Sequence, residues 1–329
     1  MELLIAVALV LAGFLLLIWS ADLLVDNASS LASQIGISTF LVGIIVVGFG
    51  TSAPELFVSA VAALQDRGNL ALGNALGSNI TNIGLVLGSA AMVRALPVAR
   101  STAIVDLPMV IGVGVLAIAL VLDGLLSRLD GIILLIVLVA YLVWSARNSQ
   151  GAGGEPSIQD LAENPHELDL SSVDHPRGKS LLTSALFTVA SIVLLMVASR
   201  MLVTGAVSIA EFFGVGELII GLTIVAIGTS LPELAAAIAA ARKGVHDMII
   251  GNIIGSNVFN TLGVLGVTGT IKATEIDTLA LVRDFPIMFA FTVLMFVFAL
   301  TKGTFSRLEG SVLVTGYLSY LAYLVIITV

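Results

Sequence analysis

Apolar residues along this chain run in long unbroken stretches separated by short charged clusters. A hydrocarbon core ~30 Å thick needs about 20 apolar residues per helix. Ten stretches have that character, near residues 3–31, 38–64, 69–93, 102–122, 129–146, 180–210, 217–241, 246–269, 279–300 and 308–328. They are continuous rather than alternating with period two, which disfavours a β-barrel. The first lacks a basic leader and a small-residue cleavage site, so it reads as a span rather than a signal peptide.

The pattern changes between Arg147 and Lys179. Glu155, Asp160, Glu163, Glu167, Asp169 and Asp174 lie there with Pro156, Pro165 and Pro176. That composition predicts an acidic linker outside the membrane. It has no EF-hand spacing, so it is not read as a calcium sensor, and His166 and His175 within it read as solvated. The chain thus divides into a first unit at 1–146, a linker at 147–178 and a second unit at 179–329.

Composition narrows the class. Of 329 residues, 58% are hydrophobic and 11% charged, with mean hydropathy +1.12. A soluble domain carries about 25% charged residues. A soluble enzyme, an extracellular scaffold and a nucleic-acid binder are therefore excluded. The net charge is −8 with no basic run, so nothing competes for a phosphate backbone. The absence of cysteine removes disulfides and thiolate metal sites. What is left is an all-α polytopic membrane protein.

The two units repeat each other. Gly50-Thr-Ser-Ala-Pro-Glu55 returns as Gly228-Thr-Ser-Leu-Pro-Glu233, at an offset of 178. Gly73-Asn-Ala-Leu-Gly-Ser-Asn-Ile-Thr-Asn82 returns as Gly251-Asn-Ile-Ile-Gly-Ser-Asn-Val-Phe-Asn260, at the same offset. Leu24-Val25 and Asp106-Leu-Pro108 follow it too, and Ser127-Arg-Leu-Asp-Gly131 returns at 179. Each unit holds five spans. Five is odd, so the second unit enters the membrane from the opposite side, giving ten transmembrane helices in two inverted-topology five-helix repeats.

Lysine and arginine give the orientation. One set of loops carries Arg94, Arg100, Arg147, Arg177, Lys179, Arg242, Lys243, Lys302 and Arg307; the other carries Arg67, Arg128, Lys272 and Arg283. The richer set is expected in the cytoplasm, with both termini outside.

Glu55 and Glu233 lie inside apolar stretches at equivalent repeat positions. A carboxylate at that depth costs several kcal/mol unless compensated. Packing alone does not account for the duplicated pair. Gly-Thr-Ser-x-Pro-Glu predicts a helix interruption followed by a helix start, freeing carbonyls such as those of Thr51 and Thr229. Ser78 and Asn82, and likewise Ser256 and Asn260, are four apart and share a helix face. The glycines between them allow close helix approach. Every donor in this set is oxygen, which suits Ca²⁺ or Na⁺ and not zinc or copper. Asp106 and Asp284 precede prolines near helix ends and read as caps or as ion-pair partners of Arg100 and Arg283. His246 reads as a helix-end residue, Trp144 as an interfacial anchor, and the roles of Asp22, Asp26 and Arg200 stay open.

On these paired motifs the chain resembles the sodium/calcium exchanger family (calcium/cation antiporters), most closely its compact prokaryotic branch. The resemblance covers nearly the whole chain. It implies that Glu55 and Glu233 bind Ca²⁺ and Na⁺ alternately, with the carbonyls of Thr51 and Thr229 as partners. It implies Na⁺ positions lined by the hydroxyls of Ser52, Ser78, Ser230 and Ser256 and the carbonyls of Gly48 and Ala226. Asn82 and Asn260 fall where the family lines the central position; some members have Asp in place of Asn260. The long first and sixth helices resemble the family's sliding gate pair. The implied activity is Na⁺/Ca²⁺ antiport by alternating access in the cytoplasmic (inner) membrane. No enzyme activity, cofactor or obligate protein partner is expected. H⁺- or K⁺-coupled antiport is the alternative, and a passive cation channel a weaker one. An intramembrane lipid phosphatase would want Arg or Lys clamps beside the glutamates, and none adjoins them.

Overall fold

A computed structural model describes residues 2–149, 180–214, 224 and 226–328. Residues 150–178 of the linker, including His166 and His175, lie outside these residues, as does most of the first half of the seventh candidate span. Among the described residues nine helices are long and apolar enough to cross a membrane.

In chain order the spans are α1 (Glu2–Ile35), α2 (Thr39–Leu64), α3 (Gly68–Val93), α4 (Thr102–Leu120) and α5 (Arg128–Ser149). The second half has α6 (Leu181–Phe212), then α7 as two pieces, Ala226–Thr229 and Leu231–Lys243. It ends with α8 (His246–Ile271), α9 (Ala280–Lys302) and α10 (Arg307–Thr328). The apolar runs thus set the helices to within a few residues, and His246 does begin α8. The fold is the all-α membrane one of two inverted repeats.

Local chemistry fixes several ends. Ser38 and Ser180 cap α2 and α6 by accepting the backbone N–H of Leu41 and Thr183, each at 3.2 Å. Where α7 ends, Gly244 takes the left-handed conformation (φ 75°); its repeat counterpart Asp66 does the same (φ 62°). Asp tolerates that region better than most side chains, and Asp66 is also ion-paired to Lys272.

Lipid tails are as apolar as the side chains, so small residues rather than hydrophobic burial bring these helices together. The apolar window of α8 is buried throughout and that of α3 largely so, while α1, α5, α6 and α10 present most of theirs outward. A Cβ on Gly255 would fall 2.5 Å from the Ile44 carbonyl, and one on Gly43 2.6 Å from the Met248 carbonyl. At this α2–α8 crossing the two backbones touch. α1 and α6 run antiparallel along their length. Gly205 lies against Ala6, Gly13 against Ala198, and Ser30 bonds Ser184 at 3.2 Å.

Two features do not show in the hydrophobic pattern. Wide π-helical turns interrupt α2 at Gly43–Gly48, α3 at Asn82–Leu87, α4 at Thr102–Asp106, α8 at Phe259–Val264 and α9 at Ala280–Asp284. Two-residue strands also join the halves. β1 (Leu96–Pro97) pairs antiparallel with β4 (Thr304–Phe305), and β2 (Leu125–Leu126) with β3 (Thr274–Glu275). The two clasps are counterparts under the repeat, which places them on opposite membrane faces.

The Asp106 and Asp284 expectation needs a partial correction. Asp284 is paired with Arg283, with Nε at 2.7 Å and Nη2 at 3.0 Å, and accepts from Tyr320 at 3.0 Å. Asp106 stands at the N-cap of the regular part of α4 without a side-chain cap bond, and Arg100 forms no ion pair with it. Asp106 meets the Thr102 hydroxyl instead. The π-helical turn over 102–106 turns the cap geometry aside.

Candidate functional site

The site grows from the two glutamates. Glu55 sits on α2 and Glu233 in the first turn of the second piece of α7, each only 1% exposed. They act on each other electrostatically, and the Thr51 side chain reaches Glu233. So the first and second halves meet here, as an in-plane two-fold axis requires.

The two copies of the proline motif take different backbones. In the second half the helix stops at Thr229, turns at Ser230 (φ −93°, ψ 8°) and restarts at Leu231, with Pro232 in its first turn. That is the interruption the motif predicts. In the first half there is no stop: Pro54 lies inside a continuous helix, Phe49–Leu64. Ser52 does not cap it. The wide turn of Gly43–Gly48 just upstream and the Thr51 hydroxyl, which donates to Val47 O at 2.9 Å, occupy the place of a break.

Proline identifies which carbonyls lose their helical donor. Having no N–H, it leaves the carbonyl four residues earlier unmatched. Those carbonyls belong to Gly50 and Gly228, next to the Thr51 and Thr229 that the sequence points to. Gly228 O is met by the Ser199 hydroxyl of α6 at 2.6 Å. The counterpart of Ser199 is Ala21, which has no donor to offer Gly50.

Around the glutamates the polar side chains are buried and unsatisfied. Both carboxylate oxygens of Glu55, Oε2 of Glu233, the hydroxyls of Ser52 and Ser230, and both polar atoms of Asn82 and Asn260 have no hydrogen-bond partner among the described residues. Such a group costs about 1–3 kcal/mol left alone, more when charged. The turn holding Asn260 packs on the helix of Glu55, and the turn holding Asn82 on that of Glu233, so these unsatisfied groups lie on neighbouring elements. All can present oxygen, and the two carboxylates supply −2, so a cation fits the set. Among the described residues no three His, Cys, Asp or Glu gather to hold a metal. A cation here would therefore depend on neutral oxygens as well as the carboxylates.

The other sequence candidates fall nearby in varying degree. The Ser256 hydroxyl donates to Gly48 O at 3.4 Å, joining two candidates from opposite halves. Ser78 is buried on α3. Thr229 ends the short helix of α7. Ala226 begins it, and its side chain is not among those described.

Asn74 was not picked as a site residue. Its amide donates to Glu55 O at 3.2 Å and to Ser59 Oγ at 2.9 Å, bracing α2 on α3 beside the carboxylate. Its counterpart Asn252 accepts from Ser256 at 3.4 Å and leaves Nδ2 unpartnered. Both stand in the quoted Gly-Asn dipeptides, so the repeat itself could have flagged them. A cavity of about 80 Å³ reaches Ser52 between Phe49, Leu138, Phe259 and Gly263. In the other half Leu85 stands for Gly263 and Tyr317 for Leu138, and Tyr317 is buried and accepts from Thr81 at 3.3 Å.

Comparison with known proteins agrees with this architecture. The family model described as sodium/calcium exchanger protein matches residues 5–147 and 183–326. The putative antiporter CaxA of Alkalimonas amylolytica is 42% identical over 320 residues, 96% of this chain and 98% of its own. The inner membrane protein YrbG of Escherichia coli (strain K12) is 41% identical over 325 residues, 98% and 97%. A solved structure of the sodium-calcium exchanger NCX_Mj, soaked with Na⁺ and Sr²⁺, superposes with TM-score 0.82 at 28% identity, covering 97% of this chain and 98% of that one. With both repeats matched across the whole membrane domain, the chain belongs to the sodium/calcium exchanger family of membrane antiporters.

Proposed function

We propose that the chain exchanges Na⁺ for Ca²⁺ by alternating access, with Glu55 and Glu233 as the shared carboxylates. One observation carries this reading: both glutamates are fully buried with unsatisfied oxygens, and no described residue forms an ion pair with them. Empty, the site leaves up to −2 in the membrane, which opposes crossing. Filled by one Ca²⁺, or by Na⁺ ions with neighbouring dipoles, it crosses at less cost. That difference couples the two fluxes with no further device.

Thr51, Ser52, Ser78, Asn82, Thr229, Ser230, Ser256 and Asn260 complete the ligand set, together with the carbonyls of Gly48 and Ala226. The name NCX_Mj carries, sodium-calcium exchanger, supports Na⁺ as the driving ion. Both termini lie outside the cytoplasmic membrane, and the acidic linker at 147–178 joins the repeats inside the cell. The chain is a carrier with no cofactor, not an enzyme.

The experiment is ⁴⁵Ca²⁺ uptake into proteoliposomes loaded with Na⁺, K⁺ or choline, and under a proton gradient alone. Uptake that requires internal Na⁺ is expected. Uptake driven by protons alone would move the chain to Ca²⁺/H⁺ exchange. Equal flux without a counter-ion would make it a channel.

A further inference from the structure

The long helix α1 carries two carboxylates that the ion site does not use. Asp22 and Asp26 are four apart and share one face. Lys243, in the last turn of α7, lies against them. Its Nζ is 2.6 Å from Asp26 Oδ1 and 3.8 Å from Asp22 Oδ1, and it donates to the Asp22 carbonyl at 2.9 Å. A cation in the last turn of a helix is itself favourable. The ammonium therefore has three oxygens of α1 around it, ten residues along α7 from Glu233.

The second half has no such tie. At the 178 offset Asp22 becomes Arg200, Asp26 becomes Thr204, and Lys243 is matched by Gln65. These three residues cannot form an ion pair with one another, and the neighbouring Asp66 is paired to Lys272 instead. The packing differs in the same sense: α1 runs closely along α7, while α6 meets α2 over a shorter stretch. The end of α7 is thus tied to α1 by a charged contact, and among the described residues the repeat-equivalent end of α2 has no such contact with α6.

We propose that Lys243 with Asp22 and Asp26 is a latch that holds the site shut on that face, the one read as cytoplasmic, and that it opens when α1 and α6 slide. This rests on the alternating-access reading above. A tie present in one state and absent in the other biases their ratio directly, whatever its contribution to folding. Inverted repeats make the two states alike in packing. A charged tie between the long helix and the site helix on one face only is the simplest means of making them unequal.

The test uses the absence of native cysteines. Ser33→Cys with Val93→Cys places spin labels at exposed positions on α1 and α3, and pulsed dipolar spectroscopy in lipid nanodiscs reads their separation. In Lys243→Gln and in Asp26→Asn a second separation is expected to gain about fivefold in population, the size of an exposed ion-pair network. Lys243→Arg should keep the parent distribution, and Lys243→Asp with Asp26→Lys should return toward it. Distributions identical in Lys243→Gln and the parent would overturn the latch, given a monodisperse protein. The distances need no transport, so an absence of Na⁺-driven Ca²⁺ flux in the parent sinks the antiport reading separately.

Discussion

The two copies of Gly-Thr-Ser-x-Pro-Glu agree at five of six residues and fold differently. In α2 the helix runs on through Pro54; in α7 it stops at Thr229 and restarts at Leu231. Their surroundings differ too. Ser199 of α6 takes up the freed Gly228 carbonyl, whereas Ala21 of α1 leaves Gly50 without that bond. Lys243 ties α7 to α1, whereas Gln65 ties α2 to nothing charged. One motif in two environments thus has two backbones available. Exchanging those environments between the halves is what an inverted repeat needs in order to open first on one face and then on the other.

The comparison breaks most completely at the glutamates. Glu55→Gln or Glu233→Gln is expected to abolish Ca²⁺ flux while the protein still inserts and elutes as a monodisperse species. Retained flux in both would remove the carboxylates from the mechanism. Gly255→Ala should cost about 1–3 kcal/mol, because the new methyl meets the fixed Ile44 carbonyl rather than a movable side chain. A fall in Tm in detergent checks it; an unchanged Tm would mean that α2 and α8 can part.

Asn260→Asp adds a titratable group beside the glutamates. It should make Ca²⁺ flux pH-sensitive near neutrality where the parent is flat, and an unaltered pH profile would show that Asn260 does not face the ions. The smallest effect is expected at the carbonyl that distinguishes the halves. Ser199→Ala removes one hydrogen bond, about 1 kcal/mol, and should change the ratio of Na⁺ to Ca²⁺ affinity by several-fold at most. Ala21→Ser offers the missing donor to Gly50 and should move that ratio the opposite way. Equal shifts from both would deny that these two residues distinguish the halves.

Much of the fold is legible in the sequence because the bilayer imposes a simple rule. Spans such as 246–269 and 308–328 are long apolar runs, and the 178 offset with an odd span count gives the inversion. The site is legible because Glu55 and Glu233 violate that rule in duplicate. What was not legible depends on long-range partners or on small backbone changes. Leu96 pairs with Phe305 through two residues that carry no strand pattern of their own. The π-helical turns keep right-handed helical angles and leave no compositional trace. Pro54 and Pro232 stand in motifs that differ only at Ala53 and Leu231, neither a helix breaker, and their outcomes differ, so the motif does not separate them. The sequence misplaces Asp106 and leaves Asp22 and Asp26 open because their partners are chosen by packing.

The strand clasps also bear on how the chain is made. Leu96 emerges from the ribosome long before Phe305, and Leu126 long before Thr274. At about 5–20 residues per second, the first half waits roughly 10–40 s for the residues that fasten it. Until then it sits in the bilayer with two loop edges unpaired and Glu55 without Glu233. Biogenesis of this exchanger is therefore a whole-chain event, completed only once the tenth helix arrives.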